Sequence, residues 1–182
     1  LLVALPFTAL PAELAGALFF GISSGLLAYG ISRRGLRHLP LFLSAPFYVA
    51  AVVAQWSPLI TAAAFLPVLL PFTLAKPNVG LPIILTFPHR RGVLLTGAVL
   101  GLSLLIMPSW PLDWLANVTS SHQQYRIPLT VLPGPLLLLA LIRWREREAR
   151  LLLLFSVIPQ RLWFYDQLSL WLLARSFRES LL

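Results

Sequence analysis

Lys76 is the only lysine in the chain, and it stands between two apolar runs. A charged group in apolar surroundings is costly and needs a partner or a task. In Lys76-Pro77-Asn78-Val79-Gly80 it coincides with a helix break. Backbone N–H groups exposed there could join the ammonium in holding a phosphate or pyrophosphate. A lysine whose stem lies on apolar surface while its head reaches water explains the position equally. Gln55, between an apolar run and Trp56-Ser57-Pro58, could hydrogen-bond a sugar or cap a helix end. Pro159-Gln160-Arg161, with Trp163, Tyr165 and Asp166, is the most polar cluster inside an apolar region. Arg161 has the forked geometry for a lipid phosphate, and Trp163 or Tyr165 offers a stacking face for a sugar. The plainer alternative is an Arg161–Asp166 pair locking a turn.

Other chemistry is thinly represented. Glu13, the only acid before Asp113, reads as a helix-start residue rather than a general base. His38 and His89 belong to basic clusters and His122 to a polar loop, without metal-ligand spacing, so no metal is expected. There is no glycine-rich phosphate loop, no Ser-His-Asp set and no paired carboxylates, and no cofactor is expected. Cysteine is absent, which excludes disulfides and thiolate chemistry.

The elements that must position these residues are set by composition. Of the 182 residues 58% are hydrophobic and 11% charged, with a mean hydropathy of +0.83. Soluble domains carry about 25% charged residues, so too little polar surface is present to cover a core, and a lipid bilayer is the expected solvent. The net charge of +8 comes from 14 basic residues against six acidic ones. Most of the arginines fall in four groups bordering apolar runs: Arg33/Arg34/Arg37, Arg90/Arg91, Arg143/Arg145/Arg147/Arg150 and Arg175/Arg178. That placement follows the positive-inside rule for cytoplasmic loops. No basic face with interleaved stacking aromatics is present, and nucleic acid is not an expected partner.

The fold class expected is all-α, a polytopic transmembrane helical bundle of about six to seven membrane segments with short, proline-broken helices, forming a single transmembrane domain over residues 1–182. Segments are predicted at Leu10 to Ile31, Pro40 to Gln55, Pro58 to Ala75, Gly92 to Met107 and Leu129 to Ile142, with two shorter pieces, from Leu151 and from Leu162 to Ala174, flanking a turn at Pro159–Arg161. Several fall short of the ~20 residues that span a bilayer. Pro46, Pro67 and Pro71 interrupt them, which membranes tolerate where neighbouring groups satisfy the freed carbonyls. Leu81 to Phe87 is too short to cross and reads as a half-helix or re-entrant piece. Pro108 to Pro128, with Trp110, Trp114 and Tyr125, reads as an outer loop. The location expected is the bacterial inner (cytoplasmic) membrane. The chain begins at Leu1 without a clear signal peptide, so it reads as a fragment of a longer chain.

Gln55-Trp56-Ser57-Pro58-Leu59, Ala75-Lys76-Pro77-Asn78-Val79-Gly80 and the loop His89-Arg90-Arg91-Gly92 resemble the later, carboxyl-terminal half of family-87-like glycosyltransferases. These are GT-C class membrane enzymes that use polyprenyl-phosphate sugars. The resemblance covers roughly residues 40 to 175. It implies a substrate-binding set of Lys76, Gln55, Asn78, Arg161, Tyr165 and Asp166 near a lipid-phosphate sugar donor. It departs from the family at Ala54, where a glycine is usual. The family's essential acid in the first outer loop also has no counterpart here. Either the catalytic part precedes Leu1, or this is a reduced homologue without catalysis. The alternatives are a non-catalytic integral-membrane subunit, whose partners would be other subunits of a photosynthetic or respiratory assembly, and a small transporter or channel, for which repeated halves are lacking.

Overall fold

The computed structural model of the protein describes residues 7, 9–120, 125–161 and 164–181, with the side chains of residues 164 and 165 outside the description. It is 77% helix and 2% strand, so the all-α class holds. Among the described residues seven α-helices follow in order: α1 Ala12–Arg34, α2 Ala45–Val52, α3 Ser57–Ala62, α4 Pro77–Thr86, α5 Arg90–Ile106, α6 Trp110–Ser120 and α7 Arg147–Val157. Between and after them run long 3₁₀ segments, Leu36–Leu43, Pro67–Ala75, Gly134–Arg143 and Phe164–Leu173.

Proline placement accounts for much of this punctuation. Pro46, Pro58 and Pro77 occupy the first turns of α2, α3 and α4, where the missing N–H would be unpaired anyway. Pro40 and Pro71 lie inside 3₁₀ segments, where they remove donors from the ladder. The segment expected over Pro58 to Ala75 is therefore two pieces, α3 and Pro67–Ala75, joined by a non-helical break before Pro67. That over Pro40 to Gln55 likewise divides at Ser44, whose Oγ accepts from Phe47 N at 3.3 Å to cap α2.

Several expectations need correction. Among the described residues a single helix, α1, is long and apolar enough to cross a membrane alone. α5 and α6 pass the same test only together, and they bend by 90° at their junction. The stretch read as an outer loop is in part helix α6, because Pro111 and Asp113 suit a first turn, and Ser109 Oγ donates to Asp113 at 2.9 Å. Its short sequel, β1 Tyr125–Arg126, pairs antiparallel with β2 Gln160–Arg161. The chain does break at Pro159–Arg161, between α7 and the 3₁₀ segment Phe164–Leu173.

The core gathers Leu27 and Ile31 of α1, Ile60 of α3, Leu70, Val79 and Ile83 around α4, Leu151 of α7, and Leu168. The contacts that bring backbones together are small-residue contacts. A Cβ at Gly80 would collide with the Thr73 backbone, and one at Gly92 with Pro67 O and Leu70. α5 therefore docks on the Pro67–Ala75 segment through Gly92 and Thr96, its only buried residues. Its leucines point away: Leu94 is 73% and Leu105 84% exposed.

Arginine clusters distant in sequence meet at one end. Arg37 Nη1 donates to Arg175 O at 3.4 Å, Arg175 pairs with Glu146, and Arg143 Nε lies 3.7 Å from Glu146. His38, expected in a basic loop, is instead 2% exposed. Its Nδ1 lies 3.0 Å from Trp171 O and its Nε2 accepts from Arg37 Nε at 3.0 Å. An Nδ1–H tautomer satisfies both bonds. Burial, followed by the Arg37 charge, lowers its pKa to about 4.

Candidate functional site

The site forms where four separated pieces of chain converge. Lys76 closes the Pro67–Ala75 segment and precedes α4. Pro77 opens the first turn of α4. Asp166 lies in the first turn of the Phe164–Leu173 segment. That segment is held down by Leu168 and Leu172 in the core and by a Ser169–Thr61 hydroxyl bond of 2.8 Å to α3. The two charges, 90 residues apart, form an ion pair between Lys76 Nζ and Asp166 Oδ1.

Gln55 completes the lysine's surroundings, its Oε1 3.5 Å from Nζ. It sits in the bend between α2 and α3, just after Ala54, whose φ of 46° lies in the left-handed region. That region costs an L-residue with a Cβ about 1 kcal/mol and favours glycine. Asn78, 1% exposed, lies in the first turn of α4. Its carbonyl accepts from Gln160 Nε2 at 2.7 Å, which ties α4 to β2. Its side chain faces Asp166. Asn78 Nδ2 and Asp166 Oδ2 are both buried, and neither completes a hydrogen bond among the described residues. The amide and the carboxylate thus face each other without a hydrogen bond of good geometry. Leaving such groups unsatisfied costs about 1–3 kcal/mol each, so a site that keeps them is suited to receive a polar ligand.

Arg161 supplies a second positive charge near Asp166. Its guanidinium also lies 5.3 Å from the centroid of the Tyr125 ring, an attractive cation–π arrangement. The pairing of Tyr125 with Arg161 across β1 and β2 sets that position. Gln160, Arg161, Asp166 and Gln167 form the polar side of a cleft of about 250 Å³. Its apolar side is Leu137, Leu152, Phe155 and Leu170. An apolar wall with a few convergent polar groups is the usual character of a small-molecule site.

Of the six expected binding residues, Arg161 and Asp166 line the cleft, and Lys76, Gln55 and Asn78 stand behind them around Asp166 without lining it. The side chain of the sixth, Tyr165, lies outside the described residues, as do Trp163 and His122. Two details differ from expectation. Asp166 pairs with Lys76 rather than serving only Arg161, because the helix break carries the lysine inward. Lys76 accordingly does not reach out to water, its side chain being 16% exposed. Glu13 occupies the exposed first turn of α1. Gln160 and Tyr125 were without assigned roles. The signal for Gln160 was its amide beside Pro159 in an apolar run; nothing local marks Tyr125, whose partner is 36 positions away by the pairing register. Comparison of the chain with models of known families, with curated proteins and with solved structures finds no match.

Proposed function

We propose that the chain is a multi-pass integral membrane protein whose site binds a lipid-linked phosphate sugar, in the manner of the GT-C glycosyltransferases it resembles. The membrane reading is supported by a reversed burial pattern. α5 buries Gly92 and Thr96 and exposes Leu94, Leu102 and Leu105. α1 buries Ser23 and Gly30 beside Leu27 and Ile31 while exposing Leu14, Leu18 and Ile22. Small residues at helix contacts with leucines outward are the membrane arrangement, where lipid solvates the leucines and close backbone approach supplies the packing. On this reading the short helices cross in tandem, α3 with the Pro67–Ala75 segment and α5 with α6, giving about six to seven segments. The arginine-rich end containing Arg37, Arg143 and Arg175 faces the cytoplasm, as the positive-inside rule favours.

The substrate reading rests on one observation, a cleft with an apolar wall whose polar side holds Arg161 and Asp166, the latter backed by Lys76, Gln55 and Asn78. The apolar wall suits a lipid chain, Arg161 a phosphate, and the Asp166 carboxylate a sugar hydroxyl. Ala54 adds weight, since it adopts the left-handed conformation where the resembled family carries glycine.

A second reading, a non-catalytic subunit of a larger membrane assembly, is favoured by the state of Asp166. It is the only acid in the cleft lining among the described residues, and Lys76 pairs with it. One experiment separates the two. Purified protein in proteoliposomes is offered a panel of radiolabelled polyprenyl-phosphate hexoses and pentoses, and retention and transfer are measured. Retention that disappears in Arg161→Ala and Asp166→Asn, and transfer that Lys76→Ala abolishes, support the enzyme. Stable co-purifying subunits without any retained donor support the second reading.

A further inference from the structure

A second groove lies at the arginine-rich end, separated from the cleft by Leu137 and Leu152, which line both. Its volume is about 320 Å³. Leu136, Leu139, Ala140, Leu152 and Leu173 form its walls, and Arg143, Arg175, Glu146 and Glu148 stand at its charged side. The walls come from three elements: the Gly134–Arg143 segment, α7 and the Phe164–Leu173 segment. Such a surface is apolar along its length and carries both signs of charge at one place.

The charges are not equivalent. Glu146 is engaged by both Arg143 and Arg175. Glu148 has neither an ion pair nor a hydrogen bond to its carboxylate among the described residues. Arg143, 66% exposed, keeps most of its donors available. The groove therefore presents guanidinium donors left over from the Glu146 pairing together with the Glu148 carboxylate, beside an apolar wall.

We infer that this groove holds a zwitterionic phospholipid with a primary ammonium, phosphatidylethanolamine, as a bound lipid distinct from any donor in the cleft. The phosphate accepts from Arg143 and Arg175, the ammonium donates to Glu148, and one acyl chain lies along Leu136, Leu139 and Ala140. The charge pattern selects among lipids. Phosphatidylglycerol offers no cation to Glu148, and the quaternary ammonium of phosphatidylcholine has no N–H to donate. The inference shares only the membrane setting with the reading of the cleft, and loss of sugar-donor binding leaves it untouched.

The test is native mass spectrometry of the full chain released from nanodiscs of equal phosphatidylethanolamine, phosphatidylglycerol and phosphatidylcholine. The expected result is one retained phosphatidylethanolamine per chain, preferred by at least about fivefold, the range that one charge-assisted contact confers. Glu148→Gln should bring phosphatidylethanolamine down to the level of phosphatidylcholine with unchanged helix content by circular dichroism. Ala140→Trp, which fills the chain channel, should remove retained lipid of every class. Equal retention of the three lipids, a preference for phosphatidylglycerol, or an unaltered preference in Glu148→Gln would overturn the assignment.

Discussion

Lys76 Nζ and Asp166 Oδ1 form an ion pair that joins the start of α4 to the C-terminal 3₁₀ segment, across 90 residues of sequence. The pair is mostly shielded from solvent, with side-chain exposures of 16% and 2%. Removing one partner of a buried pair strands the other charge, whereas removing both removes the problem. Asp166→Asn and Lys76→Met should each destabilise the fold by about 3–5 kcal/mol. The Lys76→Met/Asp166→Asn double variant should lose clearly less than the sum. Unfolding in a mild detergent, run as a double-mutant cycle, reads the coupling; additive losses would mean the charges do not support each other.

His38 predicts a pH dependence. Its folded pKa, about 4, lies below the ordinary value of 6.5, so between these values the unfolded chain binds more protons at this site than the folded one. Its contribution to stability is therefore complete above about pH 6.5 and is lost as pH falls toward 4. The wild-type melting temperature should drop across that window more steeply than that of His38→Asn, with other titrating groups common to both. Parallel curves for the two proteins would show that His38 is not held neutral.

The glycines separate into two classes. At Gly80 and Gly92 a Cβ would meet backbone atoms of Thr73 or Pro67, while at Gly97 and Gly101 it meets nothing. Gly80→Ala and Gly92→Ala should therefore cost at least about 1–3 kcal/mol through overpacking. Gly97→Ala and Gly101→Ala should be neutral or stabilising by up to about 1 kcal/mol, from helix propensity alone. Thermal unfolding of the four variants in detergent is the measurement, and equal behaviour of all four would dissolve the proposed close helix contacts.

Ala54 carries positive φ, so Ala54→Gly should be neutral to stabilising by about 1 kcal/mol. Ala54→Val should be clearly destabilising. A loss in Ala54→Gly would show that the Ala54 methyl, against which Gly16 packs, outweighs the backbone cost.

Leu94 and Leu102 lie on the exposed apolar side of α5. If lipid covers that side, Leu94→Arg and Leu102→Arg should impair membrane insertion at a cost of about 2.5–3.5 kcal/mol each near mid-membrane. The fraction of protein resisting alkaline carbonate extraction should fall in both. In water the same changes would improve solubility, and a carbonate-soluble wild type with better-behaved arginine variants would rule out the bilayer.

The helical class and most break points were legible in the amino-acid order, because a proline acts on its own backbone and on one turn. Pro58 and Pro77 open helices and Pro71 interrupts a segment for reasons a single stretch contains. The individual polar groups Gln55, Lys76, Asn78, Arg161 and Asp166 were also visible as polar atoms in apolar runs, where burial demands a partner. Which partner was not. Lys76 meets Asp166, and His38 meets Trp171, only because distant segments pack together. Pairing chemistry is the same for any nearby acid or carbonyl, and periodicity carries no information about which ones the fold brings near. The helix α6 escaped notice for a similar reason, as its aromatics and single acid read locally like a wet loop. Local sequence thus determined which groups must be satisfied, and the tertiary structure alone decided by what, since an ion pair or hydrogen bond is specified by distance in space.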